Sequence, residues 1–415
     1  MPPYAILEAS EYDGVVTPPH PAPDRLFEMG DSTALPWRIL SGLAVSGFLL
    51  ALPGGLLPLW GYHIESDYGA AANLFLAIGA GITLASVAGY RFRPRFHPAR
   101  LLAAACLLGA VALLLLSFSL PPAPVWFQAL ALFLAGASAG AINMAVLEPI
   151  APAYEANPAG VALTAGMFFG AGSVVSAGLI SVCFDTSNPR RILALSALLP
   201  GLAGLAFAGA ALNRWQDRQL PIAEAVQDLR SVMAIMFALL LFFQFANEWS
   251  IAGWLPIFLI DRLGMNPGGA VMLLAVYWLA LTVGKFAATR LLPFVSHARL
   301  LGISAFCALF GCMILLATKT TLGVVTGILL TGAGFAAIYP LAAERISTRF
   351  TYYHPGYFNG IFTFAMLGGM LAPFVLGYLA DDYGLKVIPL AAMAGSCAVF
   401  LLISMIWLGR KVSGS

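Results

Sequence analysis

The sequence predicts an all-α membrane protein: twelve transmembrane helices in two pseudo-symmetric six-helix bundles. Three observations lead there. Charge is scarce, apolar stretches of spanning length recur along the chain, and the second half repeats the punctuation of the first.

The first observation fixes the solvent. Of 415 residues 60% are hydrophobic and 10% charged, with a mean hydropathy of +0.88. A soluble domain carries roughly 25% charged residues, so this chain has less than half the usual means of solvating a surface. Lipid resolves the contradiction. The formal charge of +2 comes from basic residues spread over short loops, which gives no face for nucleic acid. Cys106, Cys183, Cys307, Cys312 and Cys397 fall in or beside apolar segments without a CxxC pair. They are read as small core residues, and no disulfide framework, metal site or cofactor is expected.

The second observation counts the spans. A helix needs about 20 mostly apolar residues to cross the hydrocarbon. Such stretches run near 37–61, 68–90, 99–120, 124–149, 158–183 and 190–212, then near 230–260, 268–292, 298–317, 320–343, 355–380 and 386–409. Residues 37–212 and 230–409 are thus the two halves, with 213–229 a polar cytoplasmic linker holding Arg214, Asp217, Arg218, Glu224 and Asp228. Residues 1–36 are rich in proline and acids, with no apolar run after a basic start; they read as a flexible cytoplasmic tail, not a signal peptide. Residues 410–415 form a short C-terminal tail.

Lys and Arg concentrate on cytoplasmic loops. With both termini inside the cell (inner) membrane, Arg91, Arg93, Arg95, Arg100, Arg214, Arg218, Arg230, Arg290, Arg299, Arg345, Arg349, Arg410 and Lys411 all become cytoplasmic. The Arg190–Arg191 pair is the exception to this orientation.

The third observation gives the architecture. Leu57-Pro58-Leu59 matches Leu255-Pro256-Ile257, and Ala99-Arg100-Leu101-Leu102 matches Ala298-Arg299-Leu300-Leu301. Gly136 and Glu148 match Gly332 and Glu344; Pro158, Gly172 and Asp185 match Pro355, Gly369 and Asp382. Offsets of 196 to 199 residues held across several helices imply parallel repeats about an axis along the membrane normal. That geometry puts a solute site between the halves near mid-membrane, served by alternating access.

Twelve spans, a six-plus-six repeat and the basic loop Gly89-Tyr90-Arg91-Phe92-Arg93-Pro94-Arg95 resemble the major facilitator superfamily. The loop keeps the glycine and basic residues of that family but not its aspartate. Its counterpart, Gly284-Lys285 to Thr289-Arg290, is also degenerate. Within the superfamily, residues 240–385 resemble the fucose–proton symporter group of sugar transporters. The residues carrying this are Phe242-Phe243-Gln244-Phe245-Ala246-Asn247-Glu248 with Trp254, then Gly284-Lys285-Phe286, Ile338-Tyr339-Pro340, and Gly368-Gly369 with Pro373, Gly377 and Asp381. The resemblance implies a proton-coupled sugar symporter, although the first span lacks the embedded acid of that group.

Single residues then nominate the site. An ionised group in mid-bilayer costs about 2.5–3.5 kcal/mol or more, so each one asks for a reason. Glu248 sits in the middle of the seventh span. Gln244 lies one turn before it on the same face and Asn247 beside it, a polar stripe suited either to a watery cavity or to helix packing. Glu148 and its repeat mate Glu344 are candidate coupling or gating groups. Lys285 joins them, with snorkelling to the interface as its ordinary alternative. Asn143 is a lone amide on a Gly/Ala-rich helix, and Asn359 is a further polar group on the expected cavity side. Trp254, Tyr277 and Tyr339 complete the proposed solute contacts, Tyr339 because it precedes a proline that frees a backbone carbonyl.

No nucleophile–base pair is evident, and no strand precedes a phosphate loop, so neither an enzyme nor an ATP-driven pump is expected. His20, His63, His97, His297 and His354 form no metal-like cluster with acids. The expected function is a monomeric secondary transporter of a small polar solute, a monosaccharide first, coupled to protons or sodium. The alternative is an exporter of amphipathic organic compounds, with a non-transporting receptor behind both.

Overall fold

In the computed structural model the described residues are 37–92, 97–147, 149–186, 188–209, 231–350 and 360–412. The expected tail 1–36, the linker 213–229, Glu148 and Asn359 therefore lie outside the described residues. Twelve helices are long and apolar enough to span a bilayer. They are α1 (Trp37–Leu59), α2 (Tyr68–Gly89), α3 (Pro98–Ser117), α4 (Val125–Leu147), α5 (Pro158–Cys183), α6 (Pro189–Ala208), α7 (Val232–Leu263), α8 (Pro267–Leu291), α9 (His297–Ala317), α10 (Thr321–Arg349), α11 (Phe364–Tyr383) and α12 (Val387–Leu408). Helix is what lipid demands of these segments, because every backbone N–H must find its partner within the chain. Large apolar side chains such as Leu202, Leu205, Phe310, Leu401 and Met405 are turned outward, as a lipid-facing surface requires.

The packing obeys the repeat. In the first half α2 lies on α4, α1 on α5, and α3 on α4 and α6; in the second α8 lies on α10, α7 on α11, and α9 on α10 and α12. Exchanging the halves turns one set into the other. The seams between the halves form an equivalent pair as well, α5 on α8 and α11 on α2.

Glycines set the closest crossings. A side chain on Gly172 of α5 would run into the Ala44 carbonyl of α1, and one on Gly368 of α11 would run into the Phe242 carbonyl of α7. The same backbone approach thus occurs in both halves, of the kind small residues permit in membranes.

Prolines explain the irregular helices. The helix of α1 is interrupted at Ala51, just ahead of Pro53. That of α10 breaks at Ala336–Ala337, between Thr321–Phe335 and Ile338–Arg349. Pro340 has no N–H to offer the Ala336 carbonyl, so the expected disturbance near Tyr339 is present as a full interruption of the helix. By contrast, α7 runs through Pro256 without a break and reaches Leu263, beyond its expected end.

Candidate functional site

A cavity of about 320 Å³ lies between the halves. It is walled by α1, α2, α4 and α5 on one side and α7, α8, α10 and α11 on the other. Most of the wall is apolar, including Leu43, Ile78, Ile82, Met144, Phe335 and Met370. Polar groups are few: Thr83, Ser86, Asn143, Tyr154, Glu248, Lys285 and Tyr339.

One end of this cavity is sealed by contacts between the halves. The Asp381 carboxylate, in the last turn of α11, accepts hydrogen bonds from the Tyr68 N–H (2.9 Å) and the Gly69 N–H (2.8 Å) that open α2. An anion at a helix N-terminus meets both the unsatisfied N–H groups and the positive end of the dipole. Close by, the Tyr378 hydroxyl donates to the Asn73 side-chain oxygen at 3.2 Å. On the other seam the Ser181 hydroxyl donates to the Gly268 carbonyl at 2.9 Å. Gly54 of α1 fits under the Ala252 carbonyl of α7, where a side chain would collide.

The polar stripe expected on α7 is divided by the helix. Glu248 reaches the cavity wall. Gln244, buried beside the carboxylate, donates from Nε2 to the Phe335 carbonyl at 3.4 Å, which covers the broken part of α10. Asn247, about 100° round the helix from Glu248, points away from the cavity and donates from Nδ2 to Ser396 Oγ of α12 at 3.3 Å. Gln244 and Asn247 thus pack the second half and do not line the cavity.

Trp254 and Tyr277 are likewise off the wall. Trp254 is fully buried, its indole N–H donates to the Pro373 carbonyl at 2.9 Å, and its ring meets Tyr68 and Phe75. It belongs to the sealed end. The Tyr277 hydroxyl donates to the Glu248 backbone carbonyl at 3.2 Å, holding α8 against α7 behind the carboxylate.

Four nominated residues do meet at the cavity: Asn143, Glu248, Lys285 and Tyr339. The Asn143 side-chain oxygen is buried with no hydrogen-bond partner among the described residues. Lys285 does not snorkel. Its stem crosses Gly166 of α5, and the residue is 8% exposed on the cavity wall. Glu344 sits away from the cavity, its Oε2 3.2 Å from His297 Nε2 of α9. That pairing lies within one half.

Residues the sequence reading left out complete the site. Trp249 and Phe169 line the wall with ring centroids 6.1 Å apart and edge to face. Phe245 and Tyr339 make a second such pair at 5.4 Å. Trp249 follows Glu248 directly, and that adjacency was the available signal. Tyr154, in the short helix Ala151–Ala156 between α4 and α5, is buried at the wall. Burial, with Tyr339 and Glu344 nearby, raises its phenol pKa, so it remains neutral.

No family model matches the chain. It is similar to an uncharacterised transporter of Sinorhizobium fredii, 24% identical over 83% of this chain and 91% of that protein. An uncharacterised MFS-type transporter of Yersinia pestis is 25% identical over 69% of this chain and 72% of its own length. Membrane protein MosC of Rhizobium meliloti is 24% identical over 89% and 91%. Among solved structures, a point variant of the E. coli fucose:proton symporter FucP superposes with a TM-score of 0.60 at 16% identity, covering 88% of this chain and 98% of that one. FucP in its outward conformation gives a TM-score of 0.56 at 17% identity, over 90% and 99%.

Proposed function

From the major facilitator fold that this chain carries, we propose that it is a secondary active transporter moving a small polar solute between its halves by alternating access. The observation that supports this most is a carboxylate, Glu248, on the wall of an inter-half cavity that is sealed at one end. An ionisable group held at that depth marks, by default, a place that solute or a coupling ion visits.

The solute class follows from size and lining. A volume of about 320 Å³ is at the small end of the ~300–1,000 Å³ typical of ligand sites. The pairs Phe169–Trp249 and Phe245–Tyr339 offer apolar faces for a ring's C–H groups. Glu248, Asn143 and Tyr339 offer acceptors and a donor for hydroxyls. A monosaccharide-type solute fits both demands. Protons are the leading coupling ion, with Glu248 as their carrier, since α1 supplies no acid. With the orientation read from Lys and Arg, the sealed end faces outward and the cavity faces the cytoplasm.

Uptake into proteoliposomes, run over neutral sugars, sugar alcohols and sugar acids with and without proton and sodium gradients, tests this reading. Gradient-driven accumulation of at least one member is expected. Accumulation of none, or accumulation indifferent to both gradients, would sink it. The apolar majority of the wall favours a second reading, export of amphipathic organic compounds. Dye efflux without any sugar uptake would select it.

A further inference from the structure

The described residues on the cavity wall include one carboxyl and one amine, and both come from the second half: Glu248 of α7 and Lys285 of α8. They act on each other through space. Among the described residues the Lys285 ammonium has neither a hydrogen bond nor an ion pair. Its stem lies across Gly166 of α5, where any side chain would displace it. Among the described residues, the ammonium is therefore held at the wall of the cavity without a counter-ion in direct contact.

We propose that the solute is a monoanion, a sugar acid, whose carboxylate pairs with Lys285, and that it travels with one proton carried on Glu248. This rests on the central-site transport reading above and specifies its solute.

The argument is charge balance. With both side chains ionised, the charges of the described wall residues cancel. A proton on Glu248 leaves Lys285 as an uncompensated charge in a low-dielectric site, which is unfavourable. An anion entering then restores neutrality. An anion entering without the proton gives the cavity a net negative charge instead. Proton and anion thus favour each other's binding, and that linkage is what couples two fluxes. A neutral sugar gains nothing from Lys285.

Among the described residues, the other titratable groups next to Glu248 or on the wall contribute hydroxyls or thiols, and the Glu344–His297 pair lies off the wall. Tyr277 donates to its carbonyl, with Cys312 of α9 behind it. Tyr339 and Tyr154 share the wall, and Glu344, beyond Tyr154, is paired with His297. From α1, α2, α4 and α11 no titratable side chain reaches the wall among the described residues.

The test uses the full chain in proteoliposomes with labelled glucuronate, glucose and fucose as probes. Wild-type protein is expected to take up glucuronate about tenfold or more faster than either neutral sugar under a pH gradient. Because one proton accompanies one anion, a valinomycin-clamped potential should leave that flux unchanged. Lys285→Gln should abolish the preference and Lys285→Arg should keep it. Glucuronate affinity should fall about tenfold per pH unit on the alkaline limb in the wild type and stay flat in Glu248→Gln. Equal transport of glucose or fucose, a potential-dependent glucuronate flux, or an unaltered preference in Lys285→Gln overturns the inference while leaving the transport reading in place. Accumulation of none of the probes overturns the inference. If the wider solute panel also fails, the transport reading falls with it.

Discussion

Gly54 and Ala252 occupy equivalent positions in the two halves, 198 residues apart like the Pro58 and Pro256 that follow them, and they touch. Two repeat-related residues can meet only near the axis that relates them, so this contact marks where the pseudo-twofold passes. Its chemistry is asymmetric. Pro256 cannot donate to the Ala252 carbonyl within α7, and the Gly54 backbone packs against that freed oxygen. Gly54→Leu should force α1 from α7 at the sealed end and lower the melting temperature in detergent, an overpacking cost of about 1–3 kcal/mol.

Asp381 is expected to hold the sealed end shut. Asp381→Ala leaves the N–H groups of Tyr68 and Gly69 without their acceptor, and hydrogen bonds to a charged group are each worth about 1.5–3 kcal/mol. Since every 1.4 kcal/mol is about tenfold in population, the open-ended state should gain at least tenfold. Spin labels at Ile64 and Tyr383, both well exposed, would report it by pulsed resonance as a longer distance distribution. An unchanged distribution would relieve Asp381 of this role.

Glu248→Gln keeps the shape of the wall and removes the ionisable group. Gradient-driven uptake should be lost, with yield and elution profile intact. Wild-type uptake in that variant would return Glu248 to the packing residues.

Asn143 sets function against stability. Its oxygen has no partner among the described residues, and an unsatisfied buried polar group costs about 1–3 kcal/mol. Asn143→Leu should therefore raise the melting temperature while weakening solute binding severalfold. A variant that is stabilised and transports with unchanged KM would show that the amide meets no solute.

Trp254 gives the converse case. Trp254→Phe removes the bond to the Pro373 carbonyl, about 0.5–1.5 kcal/mol, and should cost a few degrees of melting temperature with solute affinity preserved. A large rise in KM would place the indole back at the solute.

The spans and the repeat were legible because hydropathy and proline spacing act locally, and lipid leaves the backbone no alternative to helix. Glu248 was legible for the same reason, since a charge at that depth stands out whatever packs around it. The rest depended on rotation and neighbours. Asn247 differs from Glu248 by one residue along the chain, yet that step turns it from the cavity to Ser396. Trp254 shares the family-like motif of Glu248 but lies at the sealed end, nearly two turns away. Lys285 faces inward because Gly166, more than a hundred residues earlier, leaves room for its stem, and nothing near Lys285 in the sequence announces that.

Asp381 has no equivalent on the opposite seam. Its repeat position holds Phe184, which packs on Gly268 at the start of α8, where Asp381 instead grips the start of α2. One seam is a charged latch on two backbone N–H groups; the other is a ring laid beside a single neutral hydroxyl bond, Ser181 to the Gly268 carbonyl. A chain that repeats its architecture twice has thus been given unequal fastenings, and a molecule so fastened has a built-in preference for which side lets go first.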